Sequence, residues 1–155
     1  MIDSYLKCFF GIYLIIGLIW ARSSLEKIFG GEFVDSLGGI LTKVAQANPY
    51  LWYKNFLIGV VTPNSQIFAN LTMWGEFLTA VSISAGAIYL LLSKTKERAS
   101  KILLLGGLIG GMFLNTIFWL GFAYTSPATD TLNLLMLLIE LLGAVVLIKD
   151  LTYPL

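Results

Sequence analysis

The sequence predicts an all-α integral membrane protein, a four-helix bundle with an amphipathic helical outer loop between helices 1 and 2. Hydrophobic residues make up 57% of the 155 positions and charged residues only 12%, about half the share found in soluble domains. Aromatic residues, at 14%, are abundant enough for the belts that form at membrane interfaces. Four long apolar stretches set the number of spans, since a spanning helix needs about 20 apolar residues.

The four apolar stretches belong to one transmembrane domain that covers residues 1–155. They occupy about residues 5–28, 66–92, 102–124 and 131–148. Each is long enough to cross the hydrocarbon core, and the second is long enough to tilt or to project from it.

A basic segment between the second and third spans predicts the orientation. Four basic residues stand there with a single acid, Glu97: Lys94, Lys96, Arg98 and Lys101. Short basic loops stay on the cytoplasmic side, so both termini are expected in the cytoplasm and the helix 1–2 loop outside. The expected location is the cell membrane of a prokaryote.

The outer loop, about residues 32–64, carries its own helical pattern. Its apolar residues recur at three-and-four spacing: Phe33, Val34, Leu37, Ile40, Leu41 and Val44. This pattern is typical of an amphipathic helix that lies on the membrane surface or caps the bundle. Asn48-Pro49 ends it, and an aromatic-rich segment from Leu51 predicts a second short helix.

Composition also excludes several classes of partner and cofactor. The net charge of +1 gives no basic cluster for nucleic acid. The chain has no histidine and one cysteine, Cys8, so we expect no haem, metal or disulfide redox centre within it. Electrons would have to pass through a bound quinone or a partner subunit.

Two glutamates, Glu76 and Glu140, lie inside apolar stretches. An ionisable side chain at the bilayer centre costs about 2.5–3.5 kcal/mol on insertion scales, so such residues usually face the bundle interior. At about 1.5 Å per residue, Glu76, Asn115, Glu140 and Arg22 fall near the midplane or in the same half of the bilayer. Lipid cannot satisfy these groups, and we expect them to converge.

The charges suggest a division of roles between the two glutamates. Arg22 is the arginine at the level of Glu76, so an Arg22–Glu76 ion pair is predicted. Glu140 has no cation at its level and would be free to exchange a proton. Both glutamates are therefore candidate catalytic residues for a proton relay, although structural hydrogen bonding across helices would explain them equally well.

Several short motifs resemble those of the DoxX/DoxD family of small four-helix membrane proteins. The motifs are Gly17-Leu18-Ile19-Trp20, Leu25-Glu26-Lys27-Ile28-Phe29-Gly30-Gly31, Asn48-Pro49, Trp52-Tyr53 and Trp74-Gly75-Glu76-Phe77-Leu78. The family includes the DoxD subunit of archaeal thiosulfate:quinone oxidoreductase. The end of helix 1 there commonly reads Gly-x-x-Lys. This chain keeps Lys27 but has serine at positions 23 and 24.

The resemblance implies a membrane subunit of a quinone-linked oxidoreductase. Candidate quinone-binding residues are Arg22, Lys27, Asn115, Trp119 and Trp74. A non-catalytic accessory subunit of a larger membrane complex is an equal alternative, and small-solute or lipid transport is a third. Partners would be the lipid membrane and other membrane subunits or further copies of the chain. Gly106-Gly107 and Gly110-Gly111 suit such contacts, or tight packing within one copy.

Overall fold

The computed structural model describes residues 2–93 and 98–152, and these residues are helical almost throughout. The elements are α1 (Ile2–Gly30), α2 (Phe33–Ala45), α3 (Leu51–Phe56), α4 (Ser65–Leu92), α5 (Arg98–Phe122) and α6 (Pro127–Thr152). A π-helical turn, Leu57–Val61, continues α3, and a 3₁₀ turn, Ala123–Thr125, follows α5. No strand occurs within the described ranges.

Four of these helices, α1, α4, α5 and α6, are long and apolar enough to cross a membrane. The prediction of an all-helical chain with four such helices is confirmed, and the architecture is compatible with an integral membrane protein. The helices extend past the predicted apolar stretches because polar residues at their ends, such as Arg98, stay in the helix. Lys94–Glu97, part of the predicted basic loop, lies outside the described residues, and the orientation stays a prediction.

The long helices pack in sequence, α1 against α4, α4 against α5 and α5 against α6. Glycine makes the α4–α5 contact close. A Cβ on Gly107 would lie 2.8 Å from the backbone nitrogen of Ile83, and one on Gly86 would lie 2.9 Å from that of Leu104. Both distances are too short for any larger residue, so these glycines fix the separation of the two helices.

The segment between α1 and α4 begins with a sharp turn. Gly31 has φ of +73°, the left-handed conformation in which glycine is favoured, and it separates α1 from α2. Leu37, Leu41 and Ala45 of α2 are buried in a second apolar cluster with residues of α3 and α4. This segment therefore packs on the bundle and forms one wall of a cavity.

Candidate functional site

An apolar cavity of about 560 Å³ lies between the α2–α3 segment and the long helices. Its walls include Leu37, Leu57, Phe68, Ile117 and Phe118. Its volume is within the range of about 300–1,000 Å³ that is usual for small-molecule sites. A few polar side chains interrupt these walls: Ser23, Lys27, Tyr53, Thr72, Glu76, Thr129 and Asn133.

One wall of the cavity carries an ion pair between α1 and α4. Lys27 Nζ lies 2.8 Å from Oε2 of Glu76, and the Ser23 hydroxyl donates to the same oxygen at 2.9 Å. Glu76 is 1% exposed, whereas the Lys27 side chain keeps 21% exposure. The ammonium also lies 5.3 Å from the centre of the Phe33 ring, a cation–π contact. A buried carboxylate is thus paired at the border of an apolar cavity.

The hydrogen bonds of this ion pair are unevenly distributed. Lys27 Nζ donates to Glu76 Oε2 at 2.8 Å, to Ser23 Oγ at 2.8 Å and to the Ser23 carbonyl at 3.4 Å. Three donors are all that an ammonium has. In contrast, Glu76 Oε1 is buried and accepts no hydrogen bond from the residues that the structure describes. Buried polar atoms without partners are rare in native proteins, and a role in binding or catalysis is one explanation for them.

The predicted Arg22–Glu76 pair is wrong, since Lys27 is the cation that meets Glu76. Arg22 is exposed. Ser23 and Lys27 are four positions apart and share a helix face, whereas Arg22 lies about 100° further round α1. The position of Arg22 along the axis of α1 suggested that it lies near Glu76. The side chain that reaches Glu76 is instead the one on the face of α1 that contacts α4, which is Lys27.

Glu140 lies in a separate polar cluster that joins α1, α5 and α6. It is fully buried, and Trp20 Nε1 donates to its Oε1 at 2.8 Å. Asn115 Nδ2 donates to its Oε2, also at 2.8 Å. Neither Glu140 nor its two donors line the cavity. The predicted convergence of the buried polar groups is therefore wrong in part, because the structure divides them between two sites.

Gly111 provides the room for the Glu140 carboxyl. A Cβ at Gly111 would lie 2.7 Å from Cδ of Glu140 and 3.0 Å from its Oε2. Any side chain at this position would displace the carboxyl from the donors on α1 and α5. The glycine on α5 and the glutamate on α6 thus form one packing unit.

The two tryptophans predicted to bind a quinone, Trp119 and Trp74, do not line the cavity. Trp119 donates to Asp130 Oδ1 at 2.6 Å and contacts the Tyr50 ring at 6.2 Å between centroids. Trp74 is 50% exposed and stacks edge-on with Phe77. Neither is among the residues that border the cavity.

Three side chains that sequence reasoning did not assign to the site hold the α2–α3 segment against α5 and the 3₁₀ turn that follows it. Asn48 Nδ2 donates to the Leu120 carbonyl at 2.9 Å, and Tyr53 donates to the Ile117 carbonyl at 3.0 Å. Tyr124 donates to the Val44 carbonyl. Burial raises the pKa of Tyr53, which keeps its hydroxyl protonated and able to donate. The Asn48-Pro49 break was the available sequence signal for this anchor.

A smaller polar cavity of about 400 Å³ adjoins the ion pair. It shares Ser23, Lys27 and Phe33 with the apolar cavity and is also bordered by Glu26 and Glu32. Lys27 therefore lies between a mainly apolar space and a polar one. An amphipathic molecule suits such a boundary, with its apolar part in the larger cavity.

Among residues 2–93 and 98–152, no three histidine, cysteine, aspartate or glutamate side chains form a group that could hold a metal ion. No protein-family model matches the chain, and no curated protein or solved structure matches it either.

Proposed function

We propose that this chain is an integral membrane subunit of a quinone-linked oxidoreductase and that it binds a quinone in the apolar cavity. One observation carries the proposal: a cavity of about 560 Å³ with mostly apolar walls is bordered by an ion pair between the partly exposed Lys27 and the buried Glu76. A quinone combines an apolar ring and tail with two polar oxygens. The residues present fit that combination. The apolar walls suit the ring and tail, and the Thr72 hydroxyl can donate to an oxygen of the ligand. Glu76 Oε1, a buried acceptor without a partner among the described residues, can accept from a hydroxyl of the reduced form.

A quinone would supply the two-electron chemistry that no side chain of this sequence can provide. The residues of the chain itself would hold the ring and form hydrogen bonds with its oxygens. Ile117, Phe118 and Phe68 give the cavity apolar walls against which the ring can pack. Glu76 Oε1 can accept a hydrogen bond from a ligand hydroxyl, while the Lys27 ammonium, 2.8 Å from Oε2, engages the other oxygen of the carboxylate.

Resemblance to the DoxX/DoxD family supports the same proposal. The residues that form the site, Lys27 and Glu76, lie within two of the resembling motifs, Leu25–Gly31 and Trp74–Leu78. Ser23 is the departure from the family pattern, and here its hydroxyl donates to Glu76. The electron donor would belong to a partner subunit.

Purification in a mild detergent tests the proposal. Extraction and mass spectrometry would identify a co-purifying quinone, and proteomics would identify co-purifying subunits. The variant Ile117→Trp fills the cavity, and Leu142→Trp, at a position 66% exposed on α6, is its matched control. We expect quinone with the wild type and with Leu142→Trp, and its loss in Ile117→Trp.

Equal quinone content in Ile117→Trp and Leu142→Trp would place the quinone elsewhere. Co-purifying subunits without quinone, from the wild type, would overturn the proposal in favour of the non-catalytic accessory subunit.

A further inference from the structure

We infer that the cavity binds the reduced, hydroxyl-bearing quinol in preference to the oxidised quinone. This inference rests on the proposed function and names the form of the ligand that the site selects. It follows from the hydrogen-bonding capacity of Glu76 and of three side chains near it, Lys27, Ser23 and Thr72: some donors are already engaged, and one acceptor is open.

The donors of the ion pair are fully engaged. All three ammonium hydrogens of Lys27 have acceptors, at 2.8, 2.8 and 3.4 Å, and the single hydroxyl hydrogen of Ser23 is donated to Glu76 Oε2 at 2.9 Å. A quinone carbonyl can only accept a hydrogen bond. It would therefore gain a donor from Lys27 or Ser23 only by breaking one of these bonds.

The open position in the ion pair is an acceptor. Glu76 Oε1 is buried and lacks a donor within the described part of the chain. A carboxylate engaged by an ammonium at its other oxygen is in the form that accepts. A quinol hydroxyl donates to Oε1, whereas a quinone carbonyl brings a second acceptor oxygen toward it.

Thr72 completes the match. It lies four residues before Glu76 on α4, on the same helix face, and both residues border the cavity. Its hydroxyl can donate to the oxygen of a quinol hydroxyl while that hydroxyl donates to Glu76 Oε1. Both hydrogen-bonding capacities of the quinol oxygen are then used.

Direct binding measurements on the intact protein test the inference. Calorimetry in lipid nanodiscs under anaerobic conditions would compare a decyl-substituted benzoquinol, the corresponding benzoquinone and the dimethyl ether of the quinol. The ether retains the ring and oxygens but has no donor. We expect the quinol to bind about 10- to 100-fold more tightly than the other two, the usual scale for a hydrogen bond to a charged group.

The same preference has an electrochemical consequence. For a two-electron couple, each tenfold preference for the reduced form raises the midpoint potential of the bound quinone by about 30 mV. A rise of about 30–60 mV relative to the quinone in empty nanodiscs is therefore expected.

Two variants connect the preference to the named atoms. Glu76→Gln can present an amide N–H at the open position, so the quinol preference should fall below about twofold or invert. Thr72→Val should weaken both forms and retain the preference. The comparison of the three ligands on the wild type decides the matter even if Glu76→Gln does not fold.

The outcomes separate the two proposals. Equal affinity for quinol, quinone and ether would overturn this inference and leave quinone binding in place. Tighter binding of the quinone would overturn it as well. The absence of binding by all three would overturn the proposed function itself.

Discussion

Lys27 Nζ and Glu76 Oε2 are 2.8 Å apart, although the two residues are 49 positions apart in the chain. The pair joins the last turns of α1 to the first half of α4. It also defines the polar border of the cavity, so its integrity should affect both stability and ligand binding. The partly exposed ammonium and the buried carboxylate are expected to respond differently when each is replaced.

Removal of Lys27 should destabilise the protein by leaving a buried carboxylate without its cation. For Lys27→Met we expect a loss of about 3 kcal/mol, the lower end of the range for a broken buried pair, since Lys27 keeps 21% exposure. Lys27→Met combined with Glu76→Met should recover much of this loss. Reversible unfolding in mixed micelles, arranged as a double-mutant cycle, measures the coupling.

Arg22→Met is the matched control for this cycle. Arg22 is exposed on the same helix, so its replacement should leave the unfolding midpoint unchanged. A larger loss from Arg22→Met than from Lys27→Met would contradict the pairing of Glu76 with Lys27.

Substitutions at Glu140 should separate its hydrogen-bonding role from ionisation. Glu140→Gln keeps an acceptor for Trp20, and an Asn115 side chain rotated by 180° can accept from the new amide, so the cost should stay below about 1 kcal/mol. Glu140→Leu leaves both donors unsatisfied and should cost about 2–6 kcal/mol, at about 1–3 kcal/mol for each. Thermal unfolding of the three proteins gives the comparison.

Ligand binding provides the second measurement on these variants. Glu140 does not line the cavity, so Glu140→Gln should bind the quinol as the wild type does. A tenfold loss of affinity in Glu140→Gln would show that the two polar sites communicate.

Alanine at Gly111 should destabilise the bundle even though alanine favours helix. Its Cβ would lie 2.7 Å from Glu140 Cδ, and such overpacking typically costs about 1–3 kcal/mol. Gly106→Ala on the same helix is the control, because the added Cβ would meet no atom within 4 Å beyond its chain neighbours and the adjacent helix backbone. Gly106→Ala should therefore raise the free energy of unfolding by about 1 kcal/mol, the difference in helix propensity between glycine and alanine. Similar unfolding midpoints for the two variants would argue against a tight fit at Gly111.

The orientation predicted from the basic loop can be tested with single cysteines. After replacement of Cys8, which is exposed, cysteine would be introduced at Lys43 or at Lys149, both of them exposed. An impermeant thiol reagent added to intact cells should label position 43 and spare position 149. Labelling of position 149 alone would show the opposite orientation, in which the apolar cavity and the smaller polar cavity lie toward the cytoplasmic side.

The four long helices could be predicted because their apolar length is a property of local sequence. The predicted range of about 66–92 agrees closely with Ser65–Leu92. The range of about 131–148 is shorter than Pro127–Thr152, since the apolar criterion excludes the first and last turns of α6, which carry Asp130 and Lys149. Helix length in the structure is thus set by backbone hydrogen bonding as well as by hydropathy.

Which residues form the site depends on how each helix is rotated about its axis, and the depth of a residue in the membrane does not give that rotation. Counting along the axis placed Arg22, Glu76, Asn115 and Glu140 near one level, but it gave no rotation about each helix. Rotation separates Arg22 from Ser23 and directs Asn115 to Glu140. Trp20 could not be predicted as a donor to Glu140, because that hydrogen bond depends on α1 lying next to α6. No local sequence pattern indicates that these two helices are neighbours.

The anchors of the α2–α3 segment bear on how this protein can evolve. Asn48 and Tyr53 bind main-chain carbonyls, at Leu120 and Ile117, and these acceptors persist whatever side chains stand at the two positions. Ile117 also borders the cavity. Its side chain can therefore drift in size and shape while the attachment it carries is retained. Relatives of this chain could thus acquire cavities for different ligands by substitution at position 117 and still keep the α2–α3 segment attached.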